Sequence, residues 1–166
     1  DTRIAGMAHY SCKASLIVIN KWDLIDKQTG TLEEMTKIVK QRLPFMDYAP
    51  VLFISAKTGQ RVDKLFALIK TVYENSKKRL TTSVLNKMIS EAVTQVPTPQ
   101  DKGRHLKISY GTQVSVQPPP FALFVNDKEL SHFSYERYLE NQLRRNFGFE
   151  GVPLRLLLRN KNGEED

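Results

Sequence analysis

The sequence predicts two structural classes in succession: an α/β unit built on a parallel sheet, then a smaller α+β unit of order α-β-β-α-β. Three observations predict this. Residues 16–19 (Leu-Ile-Val-Ile) and 51–54 (Val-Leu-Phe-Ile) are continuous apolar runs of the kind buried on both faces of a parallel sheet. Helix-period segments surround them, so residues 1–78 read helix–strand–helix–strand–helix, the rhythm of parallel strands joined by crossover helices. After Lys77-Lys78-Arg79 the rhythm changes to one helix, two strands, a helix and a last strand.

Each element has its own signature. Ile4, Ala5, Met7 and Ala8 mark the end of a short helix. Thr31-Leu32-Glu33-Glu34 has capping-box spacing. Leu32, Met35, Val39, Leu43 and Met46 follow at helical period, with Pro44 disturbing the last turn. Val62, Leu65, Phe66, Ile69, Val72 and Tyr73 form the apolar stripe of a third helix. Thr81 or Thr82 caps the next, which carries Leu85, Met88, Ile89, Ala92 and Val96 and is stopped by Pro97 and Pro99. Residues 97–104 read as a polar loop, 108–116 as a strand, Pro118-Pro119-Pro120 as a stiff connector and 121–125 as a strand. Tyr135, Leu139, Leu143 and Phe147 share one helical face, and 152–158 read as a strand with Pro153 tolerated near its start. The expected divisions are therefore 1–78, 79–162 and an acidic tail at 163–166.

Composition sets limits on function. The chain has 166 residues, 40% hydrophobic and 26% charged, which suits a packed core and argues against wholesale disorder. Its net charge of +7 favours polyanionic partners, although solvated charge alone accounts for a moderate excess. The single cysteine, Cys12, excludes an internal disulfide and a thiolate zinc cluster. His9, His105 and His132 show no metal spacing, so no metal site is expected. No apolar run approaches the ~20 residues of a membrane span, and no signal-peptide pattern is present. A cytoplasmic protein without membrane contact is the expectation. The chain starts at Asp1 rather than Met, which reads as a piece of something longer.

The chemistry begins at Asn20-Lys21-Trp22-Asp23, directly after the first strand. Open α/β sheets bind ligands at the C-terminal ends of their strands. Asn-Lys-x-Asp is the guanine-reading box of GTPases. Guanine presents N1–H and the N2 amine side by side, and one carboxylate accepts from both, whereas adenine would meet it with an acceptor. Ser55-Ala56-Lys57 follows the second strand in the same position. In such sites the Ser supports the Asp, the Ala N–H faces guanine O6, and the Lys stems cover the base. The guanine-binding candidates are thus Asn20, Lys21, Asp23, Ser55, Ala56 and Lys57. The phosphate-binding patterns are missing. Glycines stand at 6, 30, 59, 103, 111, 148, 151 and 163, with no pair five apart as a P-loop requires. No glycine lies three residues after an aspartate, so an Asp-x-x-Gly box is absent as well.

Arg3-Ile4-Ala5-Gly6-Met7-Ala8, the Asn-Lys-x-Asp strand and Ser55-Ala56-Lys57-Thr58-Gly59 together resemble the second GTPase domain of the Der/EngA family of bacterial tandem GTPases. Leu85-Asn86, the stretch 107–113, Pro120-Phe121, Phe124-Val125-Asn126, Tyr138-Leu139-Glu140-Asn141 and Gly151-Val152-Pro153 resemble that family's KH-like domain. The resemblance implies a partial P-loop GTPase domain followed by a KH-like domain. It implies a parent that hydrolyses GTP during assembly of the large (50S) ribosomal subunit. GTP or GDP would be the ligand, with only the base site here and Mg²⁺ only in the full-length protein. Expected partners are the large ribosomal subunit with its rRNA and GTPase domains of the same chain, in a protein that is itself a monomer. No catalytic residue is carried over. The alternative is a non-enzymatic interaction or RNA-binding module that docks on a GTPase domain.

RNA contact has diffuse candidates: Lys102, Arg104 and Lys107 in one basic stretch, Arg144 and Arg145 in another. Gly148-Phe149-Glu150-Gly151 has the spacing of a KH phosphate loop, but Glu150 would repel phosphate and the position follows a helix. A helix-ending glycine and a turn glycine are the expectation there. Tyr110, Phe121 and Phe124 are expected to be core rather than base-stacking residues. Residues 1–78 hold 13 basic and 8 acidic side chains against 12 and 10 in 79–166, so the second half is not the more basic one.

Overall fold

The computed structural model describes residues 1–117 and 119–161. Pro118 of the expected connector and the expected acidic tail at 163–166 lie outside the described residues. The chain forms two compact units, one of Asp1–Ser76 with Phe149–Pro153, the other of Lys77–Gly148 with the chain from Leu154 on. The α/β and α+β classes are both present.

The first unit runs α1 (Thr2–Tyr10), β1 (Ile17–Ile19), α2 (Thr31–Arg42), β2 (Val51–Phe53) and α3 (Val62–Ser76). β1 and β2 are parallel, with Ile17 opposite Val51, Val18 opposite Leu52 and Ile19 opposite Phe53. Short 3-10 turns follow at Trp22–Leu24 and Pro44–Met46, the second where Pro44 was expected to disturb helix α2. Trp22, Met46, Ala49, Phe53, Ile54 and Val72 are buried. Trp22 packs against Phe53 with ring centroids 4.7 Å apart.

Two local expectations are corrected here. Thr31 does not cap α2, because Gly30 holds the cap position. The Thr31 hydroxyl is instead engaged with the Gln28 backbone, accepting from its N–H and donating to its carbonyl, each at 2.9 Å. The α3 stripe is only partly covered: Val72 is buried, while Phe66, Ile69 and Tyr73 are exposed. A sheet of two strands is too narrow to shield the whole stripe.

The second unit runs α4 (Thr82–Gln95), a hairpin of β3 (Gln100–Asp101) and β4 (Arg104–His105), β5 (Ile108–Gln113), β6 (Pro120–Val125), α5 (Phe133–Phe147) and β7 (Arg155–Asn160). β5, β6 and β7 form one sheet in that order, β5 antiparallel and β7 parallel to β6. Thr81 caps α4, its hydroxyl accepting from the Val84 N–H at 3.3 Å. Leu85, Met88, Ile89 and Ala92 of α4 are buried, as are Phe121, Leu123 and Val125 of β6 and Tyr135, Leu139 and Leu143 of α5. Gly111 of β5 lies under α4, and a Cβ there would meet Ile89 Cδ1 at 2.6 Å. Asn86 clamps the same point, donating to the Gly111 carbonyl at 2.9 Å and accepting from its N–H at 2.8 Å.

α5 also serves the end of α4. Tyr135 donates to the Val96 carbonyl at 2.8 Å, beyond the last helical residue, and Tyr138 adds a second bond at 2.9 Å to the Ala92 carbonyl, which also accepts the Val96 N–H at 3.0 Å. Burial, with Tyr138 beside it, pushes the Tyr135 phenol up to about 12.

The polar loop expected at 97–104 contains the β3–β4 hairpin. Its turn is Lys102-Gly103 with both φ angles positive, +48° and +80°, which matches the twist of paired strands. β5 ends at Gln113 rather than 116, because the Gln113 side chain turns inward. It accepts from Leu80 N–H at 2.7 Å and donates to the carbonyls of Lys78 at 2.9 Å and Ser115 at 3.1 Å.

The last strand begins at Arg155, not 152, and the reason is topological. Residues 149–153 leave the second unit and pack into the first. Gly148 ends α5 as expected, with φ +86°. Phe149 and Val152 are fully buried. The Gly151 N–H donates to Tyr48 O at 2.8 Å, and Gly151 O accepts from Ser15 N–H at 2.7 Å. Asn75 adds a bond from its side chain to the Glu150 carbonyl at 3.1 Å. This segment therefore bridges the chain just before β1 and just before β2. Gly148-Phe149-Glu150-Gly151 is a helix stop and a buried turn, not an exposed phosphate loop.

Candidate functional site

Because β1 and β2 are parallel and in register, the residues after each emerge at the same end of the sheet. The Ile54 N–H donates to Ile19 O at 2.8 Å and the Trp22 N–H to Ile54 O at 3.0 Å, so the two following loops are laced together. The first loop turns sharply at Lys21, whose φ is +64°. A non-glycine residue in that region costs about 1–2 kcal/mol. Local bonds hold it there, since Asn20 Oδ1 accepts from the Lys21 N–H at 2.8 Å. The burial of Trp22 anchors the same turn.

Asn20 and Ser55 connect the loops. Asn20 Oδ1 also accepts from the Ala56 N–H at 3.0 Å. The fully buried Ser55 donates from Oγ to Asp23 Oδ1 at 2.6 Å and accepts from the Thr58 N–H at 3.2 Å. The Ser55 hydroxyl holds the Asp23 carboxyl below its ordinary value, against partial desolvation and with help from Lys57 and Lys27. Asp23 is thus a fixed, charged acceptor with lone pairs beyond the one Ser55 occupies. Lys21, Ala56 and Lys57 are exposed. The Ala56 N–H, expected to face guanine O6, is engaged here by Asn20 Oδ1, and a purine carbonyl would compete with that oxygen for it. All six candidate residues come from two adjacent loops.

The basic candidates divide between elements. Lys102, Arg104 and Lys107 lie on and just after the β3–β4 hairpin. Arg104 is paired with Asp127 at 3.2 Å. Arg144 and Arg145 lie in the last turn of α5, and Arg144 is paired with Glu140 at 3.1 Å. Arg145 lines a small cleft of about 190 Å³ between α4 and α5 together with Glu91, Gln95, Gln142 and Asn146. Of the aromatic candidates, Phe121 is core, whereas Tyr110 is exposed and stacks on Phe124 at 4.5 Å and 15°. Alternation along β5 could have flagged Tyr110 in the sequence, because Gly111 beside it is the inward position. No helix among the described residues is long and apolar enough to cross a membrane.

The two helices and the three-stranded mixed sheet of the second unit follow the α-β-β-α-β order of a KH-like domain, with the β3–β4 hairpin added between α4 and β5. Residues 79–159 match the family model described as KH-domain-like of EngA bacterial GTPase enzymes, C-terminal. The chain is 63% identical over 164 residues to the GTPase Der of Ruminiclostridium cellulolyticum, covering 99% of this chain and 37% of that relative. It is 60% identical to the GTPase Der of Acetivibrio thermocellus and 54% identical to that of Staphylococcus carnosus, covering 99% and 98% of this chain and 37% of each relative. The chain belongs to the Der/EngA GTPase family, and it spans about 37% of the length of these curated relatives.

Proposed function

We propose that the first unit reads the guanine base of GTP or GDP in a GTP-hydrolysing protein. The observation that carries this is the Ser55–Asp23 hydrogen bond at 2.6 Å, which fixes a charged carboxylate at the C-terminal end of two parallel strands. Asp23 accepts from N1–H and the N2 amine of guanine. The Ala56 N–H transfers from Asn20 Oδ1 to guanine O6, and the stems of Lys21 and Lys57 flank the ring. Adenine offers an acceptor where Asp23 needs a donor.

These 166 residues contain no P-loop or Asp-x-x-Gly pattern, so they read the base without holding the phosphates or a Mg²⁺ ion. In our reading the full-length protein supplies those groups and couples GTP hydrolysis to assembly of the large ribosomal subunit in the cytoplasm. The KH-like unit then serves as its contact module towards rRNA and towards GTPase domains of the same chain. The names of the relatives support the GTPase part of this reading.

Amide chemical shifts of the chain, titrated with millimolar GDP and ADP, test it. GDP should move the amides of residues 20–23 and 55–58, Ala56 most of all, while ADP leaves them in place. Asp23→Asn should exchange guanosine for xanthosine, whose C2 carbonyl accepts from the new carboxamide. Equal shifts with ADP, or turnover of GTP by the chain itself, would overturn the reading.

A further inference from the structure

We infer that the sheet face of the second unit turned away from its helices binds single-stranded RNA by stacking bases on Tyr110 and Phe124. The face follows from the register. Gly111 points at α4 and pairs with Leu123, so Tyr110 and Thr112 of β5 lie on the opposite side. In the same rows lie Phe124, Ala122 and Pro120 of β6, opposite Arg159, Leu157 and Arg155 of β7. One row across the sheet therefore reads Tyr110–Phe124–Arg159, and Arg155 stands further along β7 on the same side.

Two features identify the occupant. The Tyr110 and Phe124 rings are stacked nearly parallel, and Tyr110 is 42% exposed, so a flat aromatic step is open to solvent. A ring pair committed to the core would be closed over, as Phe121 is on the other face. The second feature is charge. Arg155 and Arg159 are exposed, and the strand positions of this face carry no carboxylate. Aromatic steps flanked by guanidinium groups suit a single strand, whose unstacked bases lie on the rings while its phosphates meet the cations. A duplex hides those base faces. The α4–α5 cleft is the weaker alternative, because Glu91 shares it with Arg145.

This surface deepens the reading of the second unit as an RNA-contact module and rests on that part of it alone. The GDP titration reports on the other unit, so failure of one leaves the other standing.

The test uses the whole 166-residue chain and a fluorescein-labelled, mixed-sequence RNA octamer followed by anisotropy. Tyr110→Leu should weaken binding roughly 5- to 150-fold, the loss of one base stack, with the salt dependence unchanged. Tyr110→Phe keeps the ring and should bind like the parent, which separates stacking from misfolding. Replacing Arg155 and Arg159 by Gln should lower the slope of log affinity against log salt by about 1.4, for two phosphates at about 0.7 each. Parent-like binding by Tyr110→Leu would overturn the inference. So would equal competition by duplex RNA of the same sequence, or a loss of binding that follows Arg144 and Arg145 instead.

Discussion

Replacing Gly151 by Ala should unfold the first unit early, although residue 151 lies 75 positions beyond the end of that unit's main segment. Two penalties combine. Gly151 has φ +78°, which costs an L-residue about 1–2 kcal/mol. Its new Cβ would then lie 2.5 and 2.7 Å from the two Val72 methyl carbons and 3.0 Å from the Ser15 carbonyl oxygen. Carbon atoms pack best about 3.5–4.0 Å apart, so the overlap is near 1 Å. Val72 is 4% exposed on α3, and its β-branched side chain is stiff at χ1 in a helix. Overpacking of this kind costs about 1–3 kcal/mol. The total is about 2–5 kcal/mol, a large share of the ~5–15 kcal/mol typical of a domain.

The chain's single tryptophan makes the assay specific. Trp22 is buried in the first unit, so its fluorescence during urea unfolding reports on that unit. For a slope of about 1.5 kcal/mol per molar urea, the midpoint should fall by roughly 1–3 M. Gly59→Ala is the control. It shares φ +78° but has nothing within 4 Å of the added carbon, so it carries only the backbone penalty. Adding Val72→Ala to Gly151→Ala should return part of the loss, because the clashing methyls are gone. Equal shifts for Gly151→Ala and Gly59→Ala, or no relief from Val72→Ala, would refute the packing argument.

Two further outcomes follow from single contacts. Ser55→Ala removes the bond that holds the Asp23 carboxyl down, so its titration should move up towards the ordinary carboxylate range, read from the side-chain carboxyl carbon by NMR. Asp23 favours the folded state above its unfolded pKa, and that contribution fades as pH falls through the lowered folded value; Ser55→Ala should move the fade to higher pH. Gln113→Leu strips partners from the Leu80 N–H and from the Lys78 and Ser115 carbonyls, and should cost about 1–3 kcal/mol in urea unfolding followed by far-ultraviolet circular dichroism.

The helices and the parallel strands were legible because their signals are local. The runs at 16–19 and 51–54 contain β1 and β2, and Thr81 caps α4 as its hydroxyl suggested. The Asn-Lys-x-Asp and Ser-Ala-Lys patterns were legible in the sequence, and the two loops that carry them meet because parallel strands deliver both to one end of the sheet. What escaped the sequence depends on distant partners. The hairpin at 100–105 turns on Lys102 in a left-handed conformation, which lysine does not advertise. The apolar run at 152–158 reads as one strand, yet it divides at Leu154 because Val152 finds its neighbours in the other unit. Thr31-Leu32-Glu33-Glu34 has capping-box spacing, but Gln28 claims the hydroxyl first. Tyr110 and Phe121 look alike in sequence, and only the direction of Gly111 separates the exposed ring from the buried one.

The seating of residues 149–153 in the first unit also fixes an order of events during synthesis. When Ser76 leaves the ribosome, the Ser15 N–H and the Tyr48 carbonyl still lack the Gly151 groups that they bond in the finished fold. At about 5–20 residues per second, the 75 residues from 77 to 151 take roughly 4–15 s to appear. During that interval the nascent first unit waits for a five-residue piece that arrives only after almost all of the KH-like domain has been made.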